Sequence, residues 1–412
     1  MLSPYRVLDL TDERGMLAGQ MLADLGADVI QVEPPGGSSA RAEPPFASDE
    51  EGVDSSLFWW AYARNKRGIT CDLDTPQGQD LIRRLAAGAD FVFESDAPGV
   101  MAARGLGYAD LAKADGRLIY ASITPWGQDG PKVDYVASDL ILMAAGGPLV
   151  LAGMPDEPPV RCAVPQAYHH AAADAAGGAL IAHTERRRSG KGQYVDVAAV
   201  SSVSAATQSL ILSHAIGDQE SKRASGGMQL GPLRARIIWP CKDGWVSLTY
   251  FFGNAIGPFT QRFMEWAHEE GMCSDEDLAK DWIGYGALLF SGEEPIAEYT
   301  RIQGVVEAFL KTRTKAECLE QAQKRKLLLV PVTTIEDVAT SPQLAARGYW
   351  RDVERPDGNG TVRFPGPFVR VDNKPLEYRR RAPHVGEHNA EVYGELGLSA
   401  DEIAALRDQG VI

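Results

Sequence analysis

The sequence predicts an α/β fold built on a parallel sheet covered by helices. Two observations carry this expectation. Along the first half of the chain, short apolar runs opened by Gly-Ala-Asp or Ala-Asp alternate with segments of helical period. Such interleaving is the pattern of strand–helix–strand units, and it points to a Rossmann-like sheet.

The elements follow in order. Arg6 to Leu10 reads as a strand, Ala18 to Leu25 as a helix and Asp28 to Val32 as a second strand. A basic cluster, Arg64, Lys66 and Arg67, stands between Tyr62 and a strand expected over Ile69 to Leu73. Pro76 sits at a helix start, and that helix runs to about Ala87. Asp90 to Glu94 is the next strand, followed by a short helix near Ala109 and a strand over Leu118 to Ser122. From Gln166 to about Arg187 the chain is Ala-rich and free of proline, a long buried helix that Gly190 stops. A strand over Tyr194 to Val197 and a helix from Ala198 to Ile216 close this part.

Composition shifts after Gly217. Lys222 to Leu233 reads as a basic, glycine-bearing loop, and Ala235 to Val330 mixes short strands with helices bearing Trp and Phe, a smaller α+β domain. Beyond Ser341, strand-like pieces are separated by Pro356, Pro365 and Pro367, and Ser399 caps a final helix from Ala400 to Arg407. The working division is 1–217, 218–340 and 341–412.

Several function classes are disfavoured. With 41 basic against 56 acidic residues the formal charge is −15, against general binding to nucleic acid or anionic membrane. No stretch approaches the roughly 20 apolar residues that span a bilayer, and the N-terminus lacks a signal-peptide pattern. The five cysteines are scattered and never in CxxC spacing, against a disulfide framework or a structural zinc. A cytoplasmic protein without a metal is expected. The first strand is followed by Thr11-Asp-Glu-Arg-Gly-Met-Leu-Ala-Gly and not by GxGxxG, so a dinucleotide site is not indicated.

A series of short motifs carries a resemblance. Leu8-Asp-Leu-Thr is followed by the segment from Met21 to Gly37, then by Asn65-Lys-Arg, Asp72-Leu, Pro98-Gly and Gly105-Leu-Gly-Tyr. Leu118-Ile-Tyr-Ala-Ser-Ile, Gly127-Gln-Asp-Gly-Pro, Ser189-Gly-Lys-Gly-Gln, Pro383-His-Val-Gly-Glu-His and Gly410-Val-Ile complete it. In this order and spacing the chain resembles the class III (CaiB/BaiF-type) CoA-transferases over nearly its whole length.

The resemblance implies a large domain built from both chain ends, a small domain inserted between them, and two subunits interlocked as a dimer. It implies CoA transfer between an acyl-CoA such as succinyl-CoA and a carboxylic acid. Contacts to CoA would fall on Lys66 and Arg67, on Arg104 and on Arg41, since guanidinium and ammonium groups hold phosphates through charge-assisted hydrogen bonds. Gly226 and Gly227 resemble the family's mobile glycine loop, which closes over the thioester. Among the aromatic residues, Trp59, Trp60, Trp126 and Tyr168 are candidate pocket walls, hinting at a bulky or aromatic acid.

One position departs from the family. Its nucleophilic aspartate stands near the start of the long helix, and counting back from Gly190 by the family's interval arrives at Tyr168. A phenol, with a reference pKa of roughly 10, cannot form the acyl anhydride of the covalent cycle. Asp174 lies about 240° around the helix and roughly 9 Å along it, facing elsewhere. His169 and His170 adjoin the site as possible acid–base groups, and Asp139 reads as structural. Two arrangements are open: a homodimer with an unusual nucleophile, or a heteromer with a homologous subunit that carries the aspartate. The second resembles the aspartate-lacking subunit of benzylsuccinate CoA-transferase and would make this chain a non-catalytic partner. A CoA-ester isomerase or lyase using the histidines is the third reading.

Overall fold

A computed structural model describes all residues except 48–51, 53 and 218–220. The chain divides into two compact units. The first comprises Met1–Pro148, Cys162–Leu212 and Gln343–Ile412, and the second comprises Leu149–Arg161 and Ser213–Pro342.

The first unit is organised by six parallel strands: β1 (Arg6–Leu10), β2 (Asp28–Glu33), β3 (Lys66–Thr70), β4 (Phe91–Glu94), β5 (Ile119–Thr124) and β6 (Tyr194–Ala198). Their order is β3-β2-β1-β4-β5-β6, the doubly wound arrangement expected. The helices are α1 (Met16–Asp24), α2 (Leu57–Tyr62), α3 (Pro76–Ala86), α4 (Val100–Ala103), α5 (Tyr108–Leu111), α6 (Asp139–Ala145), α7 (Ala167–Ser189), α8 (Ala199–Ser204) and α9 (Gln208–Gly217). The apolar residues of both sheet faces are covered, which is why the central strands read as continuous hydrophobic runs.

One face packs on α1 and α7. Ala171, Ala172, Ala175, Ala176, Ala179 and Ala182 of α7 are all buried there, beside Ala18, Leu22 and Ala23 of α1. Methyl side chains let the backbones approach closely, so the alanine run serves packing density. The other face packs on α3 and on the C-terminal segment, whose Val392, Tyr393, Ile403, Val411 and Ile412 are buried in the same core.

Two local readings are corrected. The third strand starts at Lys66, three residues before the expected Ile69, so Lys66 and Arg67 lie inside β3 and not in a loop before it. The Lys222–Leu233 segment is not a plain loop either. Gly227–Leu230 (β7) pairs antiparallel with Leu233–Arg236 (β8), with Gly231 at φ +57° in the two-residue turn. The second unit adds β9 (Ile238–Cys241), β10 (Gly244–Leu248) and β11 (Leu329–Pro331), ordered β11-β10-β9 in one antiparallel sheet. Its core is aromatic, with Trp239, Trp266, Trp282, Tyr250, Tyr299 and Phe263 buried. No helix among the described residues is long and apolar enough to cross a membrane.

Candidate functional site

The start of α7 is held in place by Asp139 at the start of α6. Its Oδ1 accepts from the backbone N–H of Gln166 at 2.6 Å and of Ala167 at 2.7 Å. A carboxylate there satisfies two N–H groups that the helix leaves open and complements its dipole. Asp139 therefore has the structural task read from the sequence.

Tyr168 follows directly and is partly buried, with Oη donating to the Ala137 carbonyl at 3.3 Å. Burial pushes its phenol up, and the Arg14 guanidinium offsets this only in part, so Tyr168 is neutral at physiological pH. His169 Nε2 shares a hydrogen bond of 2.8 Å with Tyr62 Oη of α2, the two rings standing edge to face at 5.2 Å. Phe58 packs against both. Burial lowers the His169 pKa, which keeps the ring neutral, and raises that of Tyr62. Asp174 and His170 are exposed on α7. The fold thus brings Tyr168, His169 and Tyr62 to the helix start and leaves Asp174 out on the surface.

The basic residues singled out in the sequence all face carboxylates of this same chain. Lys66, with no exposed surface, donates to Asp9 Oδ2 at 2.8 Å, to Gln31 Oε1 at 2.8 Å and to the Met16 carbonyl at 2.9 Å. These three bonds use all three protons of the ammonium, and burial lowers its pKa. Arg67 binds Asp28, Glu391 and Glu395, tying β3 to β2 and to the C-terminal segment. Arg41 is buried on Glu33 at 2.6 Å, reaches Asp54, and stacks 3.9 Å from the Trp59 ring. Arg64 is bonded to Asp24 and lies over Tyr378. Trp59 and Trp60 are core residues, their indoles donating to the Pro383 and Asp54 carbonyls, and are not pocket walls. Trp126 donates to the Tyr135 carbonyl.

Two of the predicted ligands line clefts of the first unit, Arg67 beside Asp28, Asn65, Arg379 and Arg380, and Arg104 at the strand ends. A crevice of about 250 Å³ opens where β1 to β4 end, walled by Asp12, Glu33, Ser39, Asp72, Asp74, Ser95, Asp96 and Arg104 among others. It lies at the carboxyl ends of the strands, where chain order reverses between β1 and β4, the usual ligand place in such sheets. Asp12, Arg14 and Ser95 were missed in the sequence. Their signal was position, since Asp12 and Arg14 follow β1 directly and Ser95 follows β4. Gly226 and Gly227 belong to the second unit. The Gly226 carbonyl accepts from the N–H groups of Ile237 and Ile238, and a side chain at Gly227 would meet the Ala235 carbonyl at 2.3 Å. Glycine is needed there for close strand approach. Among the described residues no group of His, Cys, Asp and Glu is placed to hold a metal ion.

The family model for CoA-transferase family III matches residues 2–389. The chain belongs to this family. A relative 35% identical over all of this chain and 98% of its own length is the succinyl-CoA:(R)-benzylsuccinate CoA-transferase subunit BbsE of Thauera aromatica. The succinate–glutarate CoA-transferase of Agrobacterium fabrum is 32% identical, covering 96% of this chain and 95% of its own. A crystal structure of a CAIB/BAIF family protein from Brucella suis superposes with a TM-score of 0.81 at 28% identity, covering 95% of this chain and 98% of that one. Family III CoA-transferases move CoA between an acyl-CoA and a carboxylic acid, and that is the reaction this chain serves.

Proposed function

We propose that this chain is the nucleophile-lacking subunit of a two-chain, succinyl-CoA-dependent transferase, in which a related chain supplies the attacking carboxylate. One observation carries the reading: a neutral phenol, Tyr168, occupies the start of α7, and the helix's own Asp174 points to solvent. Attack on a thioester by a carboxylate needs an oxygen nucleophile that can leave again as part of an anhydride. A tyrosine ester would not return to the cycle in that way.

The exposed apolar surface of the chain supports an assembly, as an interlocked pair of related subunits. Helix α9 buries none of its residues, and its Ile211, Leu212 and Ile216 are 55%, 59% and 86% exposed. Leu140 and Ile141 of α6 and Ile181 of α7 are likewise uncovered. An apolar surface of this kind is covered in the working protein. The 35% likeness to a chain described as a transferase subunit agrees with a heteromer. The acceptor belongs among the carboxylic acids, and the named relatives point to dicarboxylates such as benzylsuccinate and glutarate. The five unpaired thiols accord with a reducing, cytoplasmic setting.

The test is reconstitution. Each chain is purified separately and assayed for CoA transfer from succinyl-CoA, alone and mixed with the other. Activity in the mixture and none with this chain alone supports the reading, while full activity of this chain alone removes it.

A further inference from the structure

The crevice at the ends of β1 to β4 presents the wrong charge for the ligand of its family. Five carboxylates, Asp12, Glu33, Asp72, Asp74 and Asp96, line it against the single guanidinium of Arg104. Asp12 is matched by Arg14 and Glu33 by Arg41. Asp72 belongs to a motif shared with the family, whereas Asp74 and Asp96 share Arg104, two negative charges against one positive.

The donors are no better placed. Arg104 holds Asp74 through Nε at 3.0 Å and Nη2 at 2.8 Å, and Asp96 through Nη1 at 2.8 Å. The hydroxyl of Ser95 donates to Asp12 at 2.9 Å, that of Ser39 to Glu13 at 2.6 Å and that of Thr11 to Asp9 at 2.6 Å. Every one of these groups could have donated to a phosphate, and each is turned to a carboxylate instead. CoA brings a diphosphate and a ribose phosphate, whose binding needs donors and positive potential. Here it would meet like charge at short range.

We propose that this chain does not load CoA in its own crevice, that Asp74 and Asp96 determine this by holding Arg104 and adding surplus negative charge, and that CoA binds only the companion chain. The inference rests on the two-chain reading and adds to it. An absent nucleophile by itself leaves CoA binding intact, whereas this crevice makes the assembly hold one CoA for each pair of chains.

The test counts CoA by native mass spectrometry and by titration calorimetry, on the full-length chain and on its complex with the companion. No bound CoA on the chain alone and one per pair is expected. Two per pair, or one on the chain alone, overturns the inference, and leaves the two-chain reading standing if acyl-enzyme still forms only on the companion. The double variant D74N/D96N, with transferase activity of the complex as the check that it folds, should gain a second CoA per pair. A count that stays at one in that variant removes Asp74 and Asp96 as the determinants.

Discussion

Lys66 Nζ lies 2.8 Å from Asp9 Oδ2, and neither side chain has any exposed surface. The pair joins β3 to β1 across β2, whose Gln31 takes a second proton of the same ammonium. Gly19 makes room for it, since a side chain there would meet Asp9 Oδ2 at 1.9 Å. Breaking a buried pair from one side leaves a charge without compensation. Lys66→Met should therefore lower unfolding stability by about 3–5 kcal/mol, read from the denaturant midpoint. Adding Asp9→Asn should recover part of the loss. A Lys66→Met protein of unchanged stability and weakened CoA affinity would mean that the ammonium serves the ligand.

Asp139 offers a second check. Its Oδ1 holds two backbone N–H groups at the start of α7, so Asp139→Ala should cost about 1–2 kcal/mol. Hydrogen exchange should show the loss concentrated in the first turn of α7, where Tyr168 and His169 stand. An even loss over the whole unit would contradict a capping role.

Glu94 gives a pH dependence. It is 4% exposed at the end of β4, and burial pushes its carboxyl up to about 7, although the Ser122 hydroxyl and the Asp96 N–H, both donating to it, pull the other way. A carboxyl with a raised pKa binds its proton more tightly in the folded state. Its stabilising contribution is therefore complete below the ordinary value of 4.5 and is lost as pH rises towards 7. Unfolding free energy should fall over that window by at most about 1.4 kcal/mol per pH unit from this group. Glu94→Gln, measured by urea titration at several pH values, should flatten the slope. An unchanged slope would place the titrating group elsewhere.

Much of the fold was legible because its cause is local. Apolar runs between helical segments marked β1, β2, β4, β5 and β6 within a residue or two, and the alanine run with Gly190 marked α7. The start of β3 was missed because Lys66 and Arg67 look like surface residues. They are strand residues only because Asp9 and Asp28, distant in sequence, neutralise them. The same pairing hid the partners of the basic residues. A basic cluster suggests phosphate until the carboxylates that face it are known, and those of Arg104 stand 30 and 8 residues away. The reading of Tyr168 at the nucleophile position came from the resemblance and the family's interval from Gly190, and the structure adds that Tyr168 stands in the first turn of α7.

The most direct test of the account follows the acyl group. The chain and its companion are incubated together with succinyl-CoA and hydroxylamine, and the intact masses of both are measured, followed by peptide mapping. The account predicts a hydroxamate on a carboxylate of the companion and none on this chain. A hydroxamate on this chain, at Asp174 or any other carboxylate, would contradict it.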